Sequence, residues 1–467
     1  IPTLSATRIY KGQQGKHSGE EDYLSFEKFP HVGLAKTYNV NKQVPDSAGT
    51  GTAFLCGVKT NFRVLGVDAR VTLNDCTTMH AETKLQSIVN WAQDKGKRTG
   101  VVTSTRITHA TPAATYAHTA NRDWESNGNI DEDNTQDCPD MKDIARQLVE
   151  DEPGNNLNVI LGGGFQCFDA NVTEILGDPF DKDCARTDNR VLWKDWIKQK
   201  KEEGVSHKFI RTLSELNQVS DDTDYLFGLF SNGHMPYEHA KKINNMDIPT
   251  LPEMTEKAIK LLSKGDKGYF LLLEPGHLGR PPSPVALHLG SSGEFQSDDA
   301  VKMEPMVLST HDDIALALAT TSDMCFFQHM QRNVLGLAAF ADDDLPYTTL
   351  MYANGPGYNY TVAEGIVTRW NLTEDTVKDW TYTQQAAVPL DKETHGGDDV
   401  AIYATGPMAH LFHSLHEQNY IAHAMAYAAC IGDNLDHCRS SATTFSTPTL
   451  MIVTLPVILY KYFVGTL

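Results

Sequence analysis

The stretch VPDSAGTGTAFLCGVK, residues 44 to 59, sets one serine, Ser47, between an acid and a run of very small residues. A serine hydroxyl becomes a nucleophile when its surroundings activate it. On this stretch alone two readings stay open. Asp46 and Ser47 are both good helix N-cap residues, so Ser47 can simply start a buried helix. Gly49 and Gly51 are poor helix formers, which points to a helix kept small for close approach. The free amides and dipole of such a helix start favour an anion such as phosphate. Two familiar motifs are excluded. Val58 separates Gly57 from Lys59, so CGVKT is not a phosphate loop, and no G-x-S-x-G elbow is present.

Other polar residues fall just beyond apolar runs. His109 and Thr111 follow RTGVVTSTR (98–106), Glu274 ends KGYFLLLE (267–274), Asp323 ends DIALALATTSD (313–323), and His395 shortly precedes DVAIYATG (399–406). With NLNVILGGG (156–164) and YTTLMYANG (347–355), these runs read as strands. The segments 81–97 and 251–268 read as helices, each ending near glycine. Strands alternating with amphipathic helices predict an α/β fold, a central, mostly parallel sheet between helices. In such sheets the ligand crevice lies at the carboxyl ends of the strands, where these candidates stand. Taken singly, Thr111 or Asp323 would serve equally well as a cap or turn residue, and His395 as a surface histidine.

The 467 residues suffice for a large core, and the net charge of −20 argues against a nucleic-acid partner. The first residue is Ile1 rather than Met, so the expectation is that an N-terminal piece precedes it. Asn171, Asn359 and Asn371 begin N-glycosylation sequons, and the cysteines number eight, both of which suit an oxidising compartment. Cys430 and Cys438 enclose a short loop and read as a disulfide. Cys76 can reach Cys138, leaving Cys56, Cys167, Cys184 and Cys325, though spacing alone does not fix the pairing. The small polar stretch SSATTFSTP (440–448) is followed by TLMIVTLPVILYKYFVGTL (449–467), apolar to the last residue. That order of parts reads as a GPI-attachment signal over 440–467, with Asp433, Asn434 or Ser440 to Ala442 as the attachment region. Pro456 and Lys461 fit a spanning tail anchor less well.

Longer runs carry a resemblance. KTYNVNKQVPDSAGTGTAFLCGVK, GVVTSTRITHATPAATYAHTANRDW, NVILGGG, NGPGY, QQAAVPLDKETHGGDDVAIYATGP and IAHAMAYAAC resemble the metazoan, GPI-anchored alkaline phosphatases over nearly the whole chain. The resemblance implies a zinc- and magnesium-dependent homodimer, GPI-anchored on the extracellular face of the cell membrane, that hydrolyses phosphate monoesters through a phosphoserine. Two metal ions about 4 Å apart can clamp the entering and leaving oxygens of an in-line displacement. By position, Ser47 is the nucleophile and a zinc ligand, and Arg122 is the bidentate phosphate clamp. Thr111 and Glu274 are magnesium ligands, with His109 as their neighbour. Asp323 belongs to the zinc that activates the serine, and His395 to the other. The resemblance also implies an alkaline phosphatase-like α/β domain over 1–439, with a small crown-type insertion at about 330–393.

The chain departs from the family at several of these positions. The family's glycine-rich metal loop, L-G-D-G-M-G, falls before Ile1. Where the family reads roughly E-G-G-R-I-D-H-x-H-H, this chain has EPGHLGRPPS (274–283), so Gly279 and Ser283 replace a zinc aspartate and histidine. Pro281, Pro282 and Pro284 break a segment that is helical in the family. The family's D-H-S-H becomes DMCF, with Met324 and Phe326 at histidine positions. Ser231 stands beside Phe230 where the family's calcium site has an acid. The departures run from about Pro275 to Gln331, although DDAVKM (298–303) still matches. Zinc normally takes three or four protein ligands, so poor zinc binding is expected. The alternative function is an inactive phosphatase-like surface protein that binds phosphate or a partner. A Ser-His-Asp hydrolase is disfavoured, since Asp46 beside Ser47 supplies no histidine-type base.

Overall fold

The computed structural model describes residues 23–132, 141–172, 180–181, 183–184, 186–276, 306–309, 314–318, 322–323, 325–327, 337–348, 350–364, 366–378, 382–391 and 394–439, with Arg8, Gly12, Glu20 and Glu21. Its backbone is a ten-stranded sheet. Five strands form a block that is parallel throughout. In spatial order they are Tyr269–Glu274, Arg98–Arg106, Val159–Gly163, Tyr225–Leu229 and His207–Ile210. The other half runs Met306–Ser309, Ile314–Leu318, Val400–Thr405, His31–Lys36 and Ser414–Glu417, antiparallel except for its last pair.

Alternation along the parallel strands feeds two cores. Val101, Ile160, Phe227, Phe270 and Leu272 point into one, shared with the helices Ser47–Cys56, Ile88–Asp94, Ile144–Glu150, Leu192–Glu202 and Tyr420–Ala428. Val102, Val159, Leu161, Leu226 and Leu271 point into the other, under the helix Leu251–Leu262. Burial on both faces is why these strands read as unbroken apolar runs rather than alternating ones.

The strand over 98–106 falls where the sequence places it. The helix expected over 81–97 is shorter, Ile88–Asp94, because Ser87 caps it by accepting from Val89 N while Asn90 accepts from Ser87 N. The segment 347–355 lies outside the main sheet. Its strands Pro346–Thr348 and Leu350–Gly355 pair with Leu337–Phe340 and with Cys325–Phe327 and Ala386–Pro389. A further hairpin joins Tyr360–Ala363 to Ile366–Arg369. The strands 31–36, 207–210, 225–229, 306–309 and 414–417 carry no signal that the sequence reading uses.

Cys430 and Cys438 form the expected disulfide, and Cys167 pairs with Cys184. Cys76 is disulfide-bonded, while Cys138 lies outside the described residues, as does the tail 440–467. Cys56 is a buried thiol whose pKa burial pushes up to about 12. Asn171 and Asn371 are exposed, and Asn359 is half-buried. Among the described residues no helix is long and apolar enough to cross a membrane.

Candidate active site

Ser47 is the first residue of the helix Ser47–Cys56, and every later residue of that helix is buried. Asp46, not Ser47, is the cap: its carboxylate accepts from Ala48 N at 3.1 Å and Gly49 N at 3.3 Å. The small residues are there for contact. A Cβ on Gly49 would fall 1.4 Å from Asn39 Nδ2, and one on Gly51 would come within 3.1 Å of Ala114 Cβ. Asn39 must sit that close because its Oδ1 accepts the Asp46 amide at 3.1 Å. The helix ends at Gly57, whose φ of 74° suits glycine and which lies against His423.

Asp46 also joins the serine to its neighbours. It accepts from Arg63 N at 2.9 Å and from Arg122 Nη1 at 3.1 Å. Arg122 Nη2 donates to His109 Nε2 at 2.9 Å. Because a guanidinium only donates, that nitrogen of His109 is the acceptor and the neutral ring carries its proton on Nδ1. Arg122 thus stands beside Ser47 with two donors committed and others left for an anion.

Thr111 lies in the short helix Ala110–Ala113 that follows the strand Arg98–Arg106. Its hydroxyl bonds to Glu274, at the end of the adjacent strand Tyr269–Glu274. Glu274 also accepts from Thr103 Oγ1 at 2.9 Å and Thr105 Oγ1 at 3.1 Å. Burial raises the carboxyl pKa, against the pull of these hydroxyls and of Arg122. The sequence reading misses Thr103 and Thr105, although their two-residue spacing near a strand end puts both on one face. It also misses Asn39 and the role of Asp46 as a hub.

His395 and Asp323 are brought together as backbone partners, in a two-residue ladder with Gly396 and Ser322. The residue after the ladder packs against the segment that leads into the serine helix, since a Cβ on Gly397 would come 3.1 Å from Gln43 O. His395 is half-buried, and Met324 lies outside the described residues.

The oxygen donors Thr111 and Glu274 suit magnesium, which favours carboxylate and hydroxyl ligands. Zinc fares differently. Among the described residues, groups of three metal-binding side chains occur only at Cys430, His437 and Cys438 and at Glu125, Cys167 and Cys184, all with cysteines already in disulfides. No such group converges at Ser47, so the described residues there do not make up a zinc pair.

Comparison with known proteins bears on this arrangement. The profile of the family described as alkaline phosphatase matches residues 1–431. The chain is 42% identical over 467 residues to the tissue-nonspecific alkaline phosphatase of Gallus gallus, covering 98% of this chain and 88% of that protein. It is 39% identical over 463 residues to the membrane-bound alkaline phosphatase of Bombyx mori, covering 97% and 82%. The fold is similar to that of the Thermus thermophilus alkaline phosphatase, with a TM-score of 0.57 at 18% identity over 91% of this chain and 88% of the other. It is also similar to that of the Antarctic bacterium TAB5, with a TM-score of 0.53 at 20% identity over 91% and 94%. A mutant of the TAB5 protein has been solved with magnesium bound. The chain belongs to the alkaline phosphatase family.

Proposed function

We propose that this chain is an alkaline phosphatase, hydrolysing phosphate monoesters through a phosphoserine on Ser47. The observation that carries the reading is the joint hold of Asp46 on the start of the serine helix and on Arg122. It puts a hydroxyl and a guanidinium side by side at the amino end of a helix, where amides and dipole favour an anion. Arg122 would grip two phosphate oxygens, a planar fork matched to the ligand. Ser47 would displace the alcohol in line, and water would then release phosphate from the serine. The strand ends, helix start and Asp46 hold these groups in place before substrate arrives, which is where much of the rate advantage of such a site arises.

Alkaline phosphatases are metal-dependent. Thr111 and Glu274 would hold magnesium, which when bound supplies a fixed positive charge and ordered water. His109 stands beside that position and keeps Arg122 aimed. The raised pKa of Glu274 means that ionisation, and hence a metal, is favoured as pH rises. No step is assigned to zinc, since the donors His395, Asp323 and Ser47 do not make up two zinc sites.

The chain would be anchored through the 440–467 signal on the extracellular face of the membrane. It would pair as a homodimer through the small sheets at about 330–393, the crown-type insertion. The exposure of Phe340, Val362, Val367 and Trp370 on or beside those hairpins supports the pairing.

The test is p-nitrophenyl phosphate hydrolysis at alkaline pH with zinc and magnesium added, on the chain and on Ser47→Ala. Turnover that depends on Ser47, with phosphate trapped on serine, is the expected result. No turnover from folded protein that still binds phosphate would leave an inactive, phosphate-binding relative.

A further inference from the structure

His109 has a second imidazole against it. His234 meets its ring in a T-shaped contact, with centroids 5.1 Å apart and planes at 74°. The two histidines are 125 residues apart in sequence, and His234 arrives from the loop after the strand Tyr225–Leu229. That loop is fixed from several sides. Gly164 N donates to Gly233 O at 2.7 Å, Met235 N to Ser104 O at 3.0 Å, and Ser231 Oγ to Gly233 O at 2.9 Å.

His234 Nδ1 accepts the backbone amide of Arg106 at 3.1 Å. That bond makes Nδ1 an acceptor, so the neutral ring carries its proton on Nε2. Arg106 is itself immobilised. Its guanidinium is buried and forked onto Glu125, Nε to Oε2 at 2.8 Å and Nη2 to Oε1 at 2.6 Å, with Asp181 on Nη1 at 2.7 Å. Burial alone would lower its pKa, and the two carboxylates outweigh that and raise it. Thr108 Oγ1 donates to Glu125 at 2.6 Å, and the Cys167–Cys184 disulfide closes the segment that carries Asp181. A contiguous set of contacts therefore runs from a rigid ion-pair cluster through His234 and His109 to Arg122.

We propose that His234 is a positioning residue for the phosphate clamp: anchored on the Arg106 amide, it braces the His109 ring and so fixes the acceptor that aims Arg122. The proposal rests on the reading of Arg122 as the phosphate-binding group. Asp46 holds one arm of the guanidinium, and His109 the other. Without the brace, the His109 ring loses one of the contacts that fix it, and Arg122 must be ordered further when phosphate binds, at a cost in affinity.

Two substitutions separate the ring from its hydrogen bond. His234→Asn keeps an acceptor for the Arg106 amide and removes the ring, whereas His234→Phe keeps a ring edge and removes the acceptor. Titration calorimetry with inorganic phosphate, in the presence of magnesium at alkaline pH, reads the clamp without requiring turnover. The expected result is about fivefold weaker phosphate binding in His234→Asn, the size of one hydrogen bond to a charged group lost in part, with its melting temperature unchanged. His234→Phe, which keeps the ring contact but loses the Arg106 anchor, should fall between the wild type and His234→Asn. In a His109→Ala background, His234→Asn should add no further loss, because its effect passes through His109. Wild-type binding in His234→Asn, an equal loss in His234→Phe, or an undiminished loss in the His109→Ala background would each overturn the proposal. A folded wild-type chain that binds no phosphate would overturn the clamp reading and this one together. Phosphate binding by the wild type that is indifferent to His234 would overturn this one alone.

Discussion

Around Arg122 the polar groups are tied to one another through their side chains, while His395 and Asp323 meet as backbone partners. The Asp46 carboxylate accepts four hydrogen bonds, from Ala48, Gly49, Arg63 and Arg122. Glu274 takes three threonine hydroxyls, two from the adjacent parallel strand and Thr111 from the short helix that follows it. His395 and Asp323, by contrast, share a two-residue ladder outside the main sheet, in the part of the chain where the resemblance puts Gly279, Ser283, Met324 and Phe326 at zinc-ligand positions. The difference separates a cluster held by side-chain hydrogen bonds from a pair joined through the backbone. The first is knit by helix capping, strand ends and buried hydrogen bonds. The second depends on ligand identity, and a single change of residue type removes a donor without disturbing the fold.

The contrast can be broken first at Arg122. Arg122→Ala should weaken inorganic phosphate binding about a hundredfold, as two charge-assisted hydrogen bonds are lost, and calorimetry reads it directly. A loss below threefold would mean that the anion is held elsewhere. Gly49→Ala tests whether the knit half is as tight as its geometry implies. The added methyl must displace the Asn39 amide, which holds the Asp46 backbone. Destabilisation of about 1–3 kcal/mol is expected in urea melts. Unchanged stability would show that Asn39 is not needed there.

A smaller effect is expected at the edge of the sheet. Glu417 takes Lys59 at 2.8 Å and Lys36 at 3.0 Å. Partial burial pushes its carboxyl pKa up, but the lysine hydrogen bonds win and bring it from an ordinary 4.5 down to about 2. A depressed carboxylate contributes stability that is present above its unfolded pKa and lost as pH falls through the folded one. Glu417→Gln should therefore flatten the loss of melting temperature between pH 4.5 and about 2 and change little at pH 7. An acid limb identical to the wild type would remove Glu417 from it.

The smallest effect is expected in the zinc half. Met324→His with Phe326→His restores two imidazoles at family positions, yet Gly279 and Ser283 still supply no zinc ligand. Zinc counted by mass spectrometry should stay below two ions per chain. Two tightly bound ions in this double mutant would show that the ligand inventory is wrong, and that the halves are less separate than they look.

Local chemistry made part of this legible without coordinates. The apolar run 98–106 names its own strand, and the amphipathic run 251–268 names the helix Leu251–Leu262, which ends before the run does. Short strands such as Ser414–Glu417 stay hidden, because an edge strand of mixed polarity takes its structure from a neighbour rather than from its own pattern.

The sequence by itself determined the family, through long runs around Ser47, Arg122 and His395, because such runs carry residue identities that no fold is needed to read. Tertiary structure decided that Asp46 is the hub and Ser47 only the first helical residue beyond it. It also decided that Thr103, Thr105 and Thr111 meet on Glu274 and that His234 reaches His109. Those are contacts between segments up to 171 residues apart. No local propensity encodes them, since each depends on which strands the sheet sets side by side and where their carboxyl ends converge.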